Sequence, residues 1–145
     1  MNKYHYTESG LRNIYLVNGF EIVKTPYGDA VSIVDIEGLQ RVISLNLCSK
    51  KHLTGTEFRF LRKEMGMSQN GLAQALGVDD QTLAKWEKNG RVPKTADRFM
   101  RLLFLETINQ NTTIKDYVDK INQTDRDVYA QIVLEQTNQG WKQAA

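Results

Sequence analysis

Two side chains with nucleophile and base character stand close together in this sequence. Cys48 and His52 are four residues apart, which on a continuous helix would bring a thiol and an imidazole onto one face. Lys50-Lys51 interrupts such a helix and no acidic residue is placed to orient the imidazole, so the pair does not make a catalytic dyad. Cys48 is the only cysteine, so no internal disulfide can form, and one cysteine with two histidines lacks the ligands of a structural zinc site. His5, within "YHY", reads as a surface or packing histidine rather than a ligand. No signature of an enzyme, a metal site or a cofactor is present. The remaining cluster is cationic: within residues 85–101, Lys85, Lys88, Arg91, Lys94, Arg98 and Arg101 stand against Glu87 and Asp97. An anionic partner would meet the protein there.

The elements that must carry this cluster are helices. "TGTE" fits a capping box, Thr54 with Glu57 three residues later, followed by Phe58, Leu61 and Met65 as an apolar stripe. Ser68 starts a second helix that Gly77 stops, since glycine suits the left-handed position at a helix end. Asp79 caps a third, which ends near Asn89-Gly90, and a fourth begins after Pro93. From Phe99 to Leu105 only Arg101 is polar, which is more apolar surface than one helix face needs. Thr113 with Asp116, and Thr124 with Asp127, resemble two more capping boxes, leading into Ile114, Tyr117, Val118 and Ile121, and into Val128, Ile132 and Val133.

Before residue 54 the pattern changes. Asn18-Gly19 lies between two β-rich runs and predicts a hairpin. "TPYGD" supplies a second turn, and Val31 to Val34 a third strand, giving a three-stranded antiparallel meander. After Asp35, a helix cap, Ile36, Leu39, Val42, Ile43 and Leu47 recur at helical spacing and predict a covering helix over 36–48, with "CSKKH" as a linker.

The stretch "SQNGLAQALGVDDQTLAKWEKNGRVP" resembles the helix-turn-helix of the XRE family of bacterial and phage regulators, which includes the Cro and lambda-type repressors. The matching residues are Ser68-Gln69, Leu72-Ala73, Leu76-Gly77-Val78, Leu83, Trp86-Glu87, Gly90 and Pro93. The competing reading is an αα-hairpin in an unrelated bundle, against which stands the joint order and spacing of these residues. The resemblance covers residues 54–106 and implies a compact bundle of four or five helices there. It also implies a recognition helix over 79–88 whose base-contacting residues are Asp80, Gln81, Ala84 and Lys85. Gln81 can pair with adenine, Lys85 can donate to guanine, and the Ala84 methyl can touch a thymine methyl. Asp80 departs from the family pattern: its carboxylate either repels phosphate or accepts from a cytosine amino group. Gln69 matches a phosphate-contacting position, Thr82 reaches base or backbone, and Lys88, Arg91 and Lys94 hold the flanking backbone or form an ordinary solvated face.

The fold expected is therefore mainly α: a lambda-repressor-like helix-turn-helix bundle over 54–106, a small N-terminal α+β module over 1–50 and a C-terminal helical extension over 107–145. The function expected is a sequence-specific DNA-binding transcriptional regulator, a repressor, acting as a homodimer on a pseudo-palindromic double-stranded operator. Small XRE proteins of this arrangement look like the antitoxins of toxin-antitoxin pairs, which makes a cognate toxin a second partner; a plain repressor is equally compatible. The alternative from another class is a protein-interaction module that keeps the fold without specific DNA binding. The chain has 145 residues, 41% hydrophobic and 25% charged, with net charge +2, which excludes a large multidomain enzyme and a disordered chain. No apolar run approaches the roughly 20 residues of a membrane helix and no signal peptide is visible, so a cytoplasmic location is expected.

Overall fold

The computed structural model describes residues 3–89, 91–108 and 130–144. The chain divides into two compact units, one formed by Met1–Ile43 with Gln131–Ala145 and the other by Ser44–Ala130. Among the described residues there are five helices, a four-stranded mixed sheet and a separate two-stranded one.

In the first unit, β1 (Tyr4–His5), β2 (Ile14–Leu16), β5 (Ile132–Thr137) and β6 (Gly140–Gln143) form the larger sheet in the order β1-β2-β5-β6. β2 and β5 run parallel, with Ile14 beside Ile132 and Leu16 beside Leu134. Parallel strands 118 residues apart are joined because the alternating apolar side chains of both are fully buried on one face. On the opposite face His5 stacks on Tyr15, ring centroids 4.4 Å apart, and its Nε2 lies 2.6 Å from the Arg12 carbonyl oxygen, so this histidine has a packing role. β3 (Phe20–Thr25) and β4 (Gly28–Ile33) form a hairpin of their own, turned at Pro26-Tyr27. The Thr25 hydroxyl donates to the Gly28 carbonyl at 2.6 Å and accepts from the Tyr27 N–H at 3.2 Å.

Two expectations are corrected here. The antiparallel meander does not form, because β1 and β5 occupy both edges of β2 and leave none for β3. Gly19 still turns the chain, at φ 76°, but Asn18 uses its side chain to accept from the Gln136 N–H at 2.6 Å instead of making the second left-handed turn position. The helical extension also fails at its end: Ile132 and Val133 belong to β5, and the chain returns to the N-terminal unit as two strands. The capping boxes read at Thr113 and Thr124 lie outside the described residues.

Trp141, on β6, is the largest apolar side chain of this unit that the periodicity left unplaced. It is buried, its indole N–H donates to the carbonyls of Val34 at 3.0 Å and Asp35 at 3.2 Å, and its ring lies so close to Gly19 that a side chain there would collide with it. Glycine at 19 therefore satisfies both the positive φ and the close approach.

The second unit holds α2 (Gly55–Glu64), α3 (Gln69–Leu76), α4 (Asp80–Asn89) and α5 (Lys94–Thr107); α1 (Ile36–Cys48) starts in the first unit and contributes Ser44–Cys48 to the second. The segment expected to be a linker, residues 48–52, is built into this unit. Lys50 is buried and its ammonium donates to Glu57 at 2.5 Å, while Arg101, fully buried, donates to Asp97 at 2.5 Å and to the carbonyls of Cys48 and Lys50. Asp97 also accepts from the Leu53 N–H at 2.9 Å. Cys48 is buried whereas His52 is exposed.

Trp141→Ala is expected to lower the stability of the first unit by about 3–5 kcal/mol, as for truncation of a buried aromatic. Gly19→Ala is expected to be destabilising by more than about 1 kcal/mol, because it combines positive φ with a collision. Urea unfolding followed by circular dichroism checks both.

Candidate nucleic-acid interface

The site is a helix pair and what holds it. Thr54 accepts from the Glu57 N–H at 3.2 Å and Glu57 accepts from the Thr54 N–H at 2.9 Å, so the capping box forms and fixes the start of α2. Ser68 caps α3 by accepting from the Gly71 N–H at 2.9 Å, and Gly77 closes it in the left-handed region at φ 75°. The Val78 N–H returns to the Ala73 carbonyl at 3.0 Å, leaving only residues 77–79 between α3 and α4. Asp79 caps α4, its carboxylate accepting from the Thr82 N–H at 2.7 Å. That bond, then the Thr82 hydroxyl, the Gln81 N–H and the charge of Lys85, hold the Asp79 carboxyl below the usual carboxylate range.

α4 is seated on its neighbours by Leu83, which is fully buried, by Trp86, which meets Phe58 edge to face at 6.3 Å, and by Glu87. The buried Glu87 carboxylate accepts from Arg62 Nε at 2.7 Å and Nη2 at 3.1 Å, and from Gln69 Nε2 at 3.0 Å. Arg62 spends its remaining Nη1 on the Met67 carbonyl at 2.9 Å. One acid thus ties α2, α3 and α4 together. The fit is close at the other end of α2 as well: a side chain at Gly55 would run into the carbonyls of Trp86 and Glu87.

With one side of α4 so engaged, the other is open. Gln81, Lys85 and Lys88 are exposed and Ala84 half-exposed, and their spacing puts all four on one stripe. Asp80 is exposed beside them and Thr82 is half-buried. Arg91 and Lys94 are exposed just past the helix end. Among the described residues, the side chains of Gln81, Lys88, Arg91 and Lys94 make no hydrogen bond or ion pair, and Lys85 faces only the charge of Asp79.

Two sequence-based assignments change. The Gln69 amide is turned onto Glu87, so it supports α4 and has one amide hydrogen and its backbone N–H left for an anion. Arg101 leaves the cationic surface altogether, being buried on Asp97, and Arg98 is partly occupied, with Nη1 3.4 Å from the Lys51 carbonyl oxygen and 3.8 Å from Asp97. Glu87 leaves it too. The net effect sharpens the patch: between residues 85 and 94 all four cations are exposed and the one acid is buried. Sequence reasoning missed Arg62, although its signal was present, since an acid on the inward face beside Leu83 and Trp86 demands a buried cation.

Residues 58–102 match the family described as helix-turn-helix. This segment is an XRE-type helix-turn-helix domain. Comparison with curated proteins and with solved structures gave no match. The domain is that of DNA-binding transcription regulators, and its helix pair is α3 and α4. No helix among the described residues is long and apolar enough to cross a membrane.

Glu87→Ala is expected to destabilise by about 3–5 kcal/mol, because it strands the buried Arg62 guanidinium, whereas Lys88→Ala, one residue on but exposed, is expected to change stability by less than about 0.5 kcal/mol. Asp79→Ala is expected to lower the melting temperature at neutral pH. Because the folded-state pKa of Asp79 is depressed, its charge-dependent part of the capping is present above the ordinary Asp range and is lost as pH falls through the depressed value. Asp79→Asn is therefore expected to keep the cap but lose that acid dependence, which thermal unfolding against pH reads directly.

Proposed function

We propose that the protein is a sequence-specific repressor that inserts α4 into the major groove of double-stranded DNA. The observation that supports this best is the open stripe of Gln81, Ala84, Lys85 and Lys88 on a helix whose opposite side is locked by Glu87. Gln81 offers a donor and an acceptor to adenine, Lys85 donates to guanine O6 or N7, and Ala84 meets a thymine methyl. Asp80 accepts from a cytosine amino group, which makes it a specificity element rather than an affinity one. Lys88, Arg91 and Lys94 take phosphates, with Thr82 and the N-terminus of α3 at Gln69 as further backbone contacts.

One such helix covers one half-site, so the acting species is a homodimer on a pseudo-palindrome. The apolar surface of α5, where Phe99 is 39% exposed in a run broken only by the buried Arg101, supports α5 as the dimer contact. An autoregulating antitoxin is the narrower reading, in which a cognate toxin binds elsewhere on the chain. The alternative, a protein-interaction module that has given up DNA, draws on Asp80, an exposed carboxylate in the middle of the reading surface.

The experiment is operator binding against salt with the DNA upstream of the protein's own coding sequence. Gln81→Ala and Lys85→Ala are each expected to weaken specific binding by about 1–3 kcal/mol and to relax base preference at particular positions. Arg91→Ala is expected to weaken all sequences alike and to reduce the salt slope by about one. Salt-insensitive binding, equal for all three variants, contradicts the groove assignment and favours the interaction module.

A further inference from the structure

The hairpin β3–β4 is exposed along almost its whole length. Of the six large apolar side chains exposed among the described residues, Ile22, Val23, Tyr27, Val34 and Ile36 fall within residues 22–36, so the apolar surface is concentrated in one place. The register puts Phe20 opposite Ile33 and Ile22 opposite Val31, and cross-strand partners share a face, so one face of the ribbon is apolar from its base to Lys24 and Asp29 near the turn. Its base is covered, where Tyr4 stacks on Phe20 at 5.1 Å. Two strands alone are marginal in water, and among the described residues this pair has no third strand on either side.

Among the described residues both outer edges are unpaired, and they are not equal. The Val34 N–H donates to the Gly19 carbonyl at 2.9 Å, which fixes the phase of the ladder; Asp29, Val31 and Ile33 then turn their backbone groups outward along β4. Natural edges are usually defended by charge, proline or a bulge, and β4 has Asp29 alone, whereas β3 carries Glu21 and Lys24. Charge then selects the occupant. Within residues 20–37 the exposed charges are Glu21, Asp29, Asp35 and Glu37 against Lys24, an acidic segment on a chain that is net positive. DNA is repelled by such a surface, and so is the same acidic edge of a second copy.

We propose that the β4 edge is a docking site for an extended, basic segment of a partner protein, which adds a strand to the hairpin and lays alternate apolar side chains beside Val31 and Ile22. This deepens the expectation of a protein partner and is independent of the DNA-reading assignment, because none of the residues proposed to contact DNA lies on the hairpin.

The test uses the full chain and, as probe, a short synthetic peptide of alternating lysine and valine, with its glutamate and valine counterpart as control. The lysine peptide is expected to bind saturably, to slow hydrogen exchange at the amides of Asp29, Val31 and Ile33, and to bind at least about tenfold more tightly than the control. Val31→Pro, which removes only an outward N–H, is expected to abolish binding while operator affinity stays unchanged. Ile22→Asn, which leaves the ladder intact, is expected to weaken binding and guards against a folding effect of the proline. Equal affinity for the two peptides, no binding, or protection elsewhere overturns the proposal. So does concentration-dependent protection of the same amides in the protein alone, which would make a second copy the occupant.

Discussion

The bidentate pair between Arg62 and Glu87 is the constraint on which the reading surface depends. A helix of ten residues with modest intrinsic propensity cannot hold its own orientation, and α4 buries little beyond Leu83 and part of Trp86. A buried carboxylate accepting from both Arg62 and Gln69 supplies what apolar burial alone lacks, which is direction. Hydrogen bonds at 2.7–3.1 Å fix the rotation of α4 about its own axis and hence which of its residues face out. Gly55 allows the backbones of α2 and α4 to approach closely enough for the pair to form.

Buried ion pairs recur through the second unit. Lys50 with Glu57 and Arg101 with Asp97 join the residues after α1 to α2 and α5, so the chain between α1 and α2 is framework, held by its own carbonyls. The capping acid Glu57 serves twice, closing the start of α2 with one oxygen and neutralising Lys50 with the other. Charge in this domain is thus sorted by depth. The acids Glu57, Glu87 and Asp97 are inside, paired, and the cations of residues 85–94 are left outside, with Asp79 and Asp80 at the start of α4 as exposed acids near them in sequence. A protein of small net charge can present a cationic face in this way.

What was legible in the sequence follows from range. Thr54, Ser68, Gly77 and Asp79 act on backbone groups within about four residues, so their meaning survives without knowledge of the fold, and α2, α3 and α4 start or stop where they indicate. The stripe on α4 was implied by the family resemblance, which sets Gln81, Ala84 and Lys85 on the groove side and Leu83 and Trp86 inside; Glu87, counted by position among the surface charges, was misplaced. The parallel pairing of β2 with β5 was not, because nothing local in Ile14–Leu16 or Ile132–Thr137 announces a partner more than a hundred residues away. Asn18-Gly19 misled for a related reason: the turn chemistry was read correctly, but the strand before it already had two neighbours. Counting charges by position misplaced Arg101, whose side chain faces Asp97 one turn earlier on the same helix.

The most direct measurement is a map of backbone amide shifts by nuclear magnetic resonance as the full chain is titrated, at physiological salt, with duplex DNA from upstream of its own coding sequence. The largest changes are expected along Asp80 to Arg91 and at the start of α3, with the hairpin of Phe20–Ile33 silent. Changes centred on that hairpin, or a titration in which α4 does not respond, would contradict a groove-reading helix held in place by Glu87.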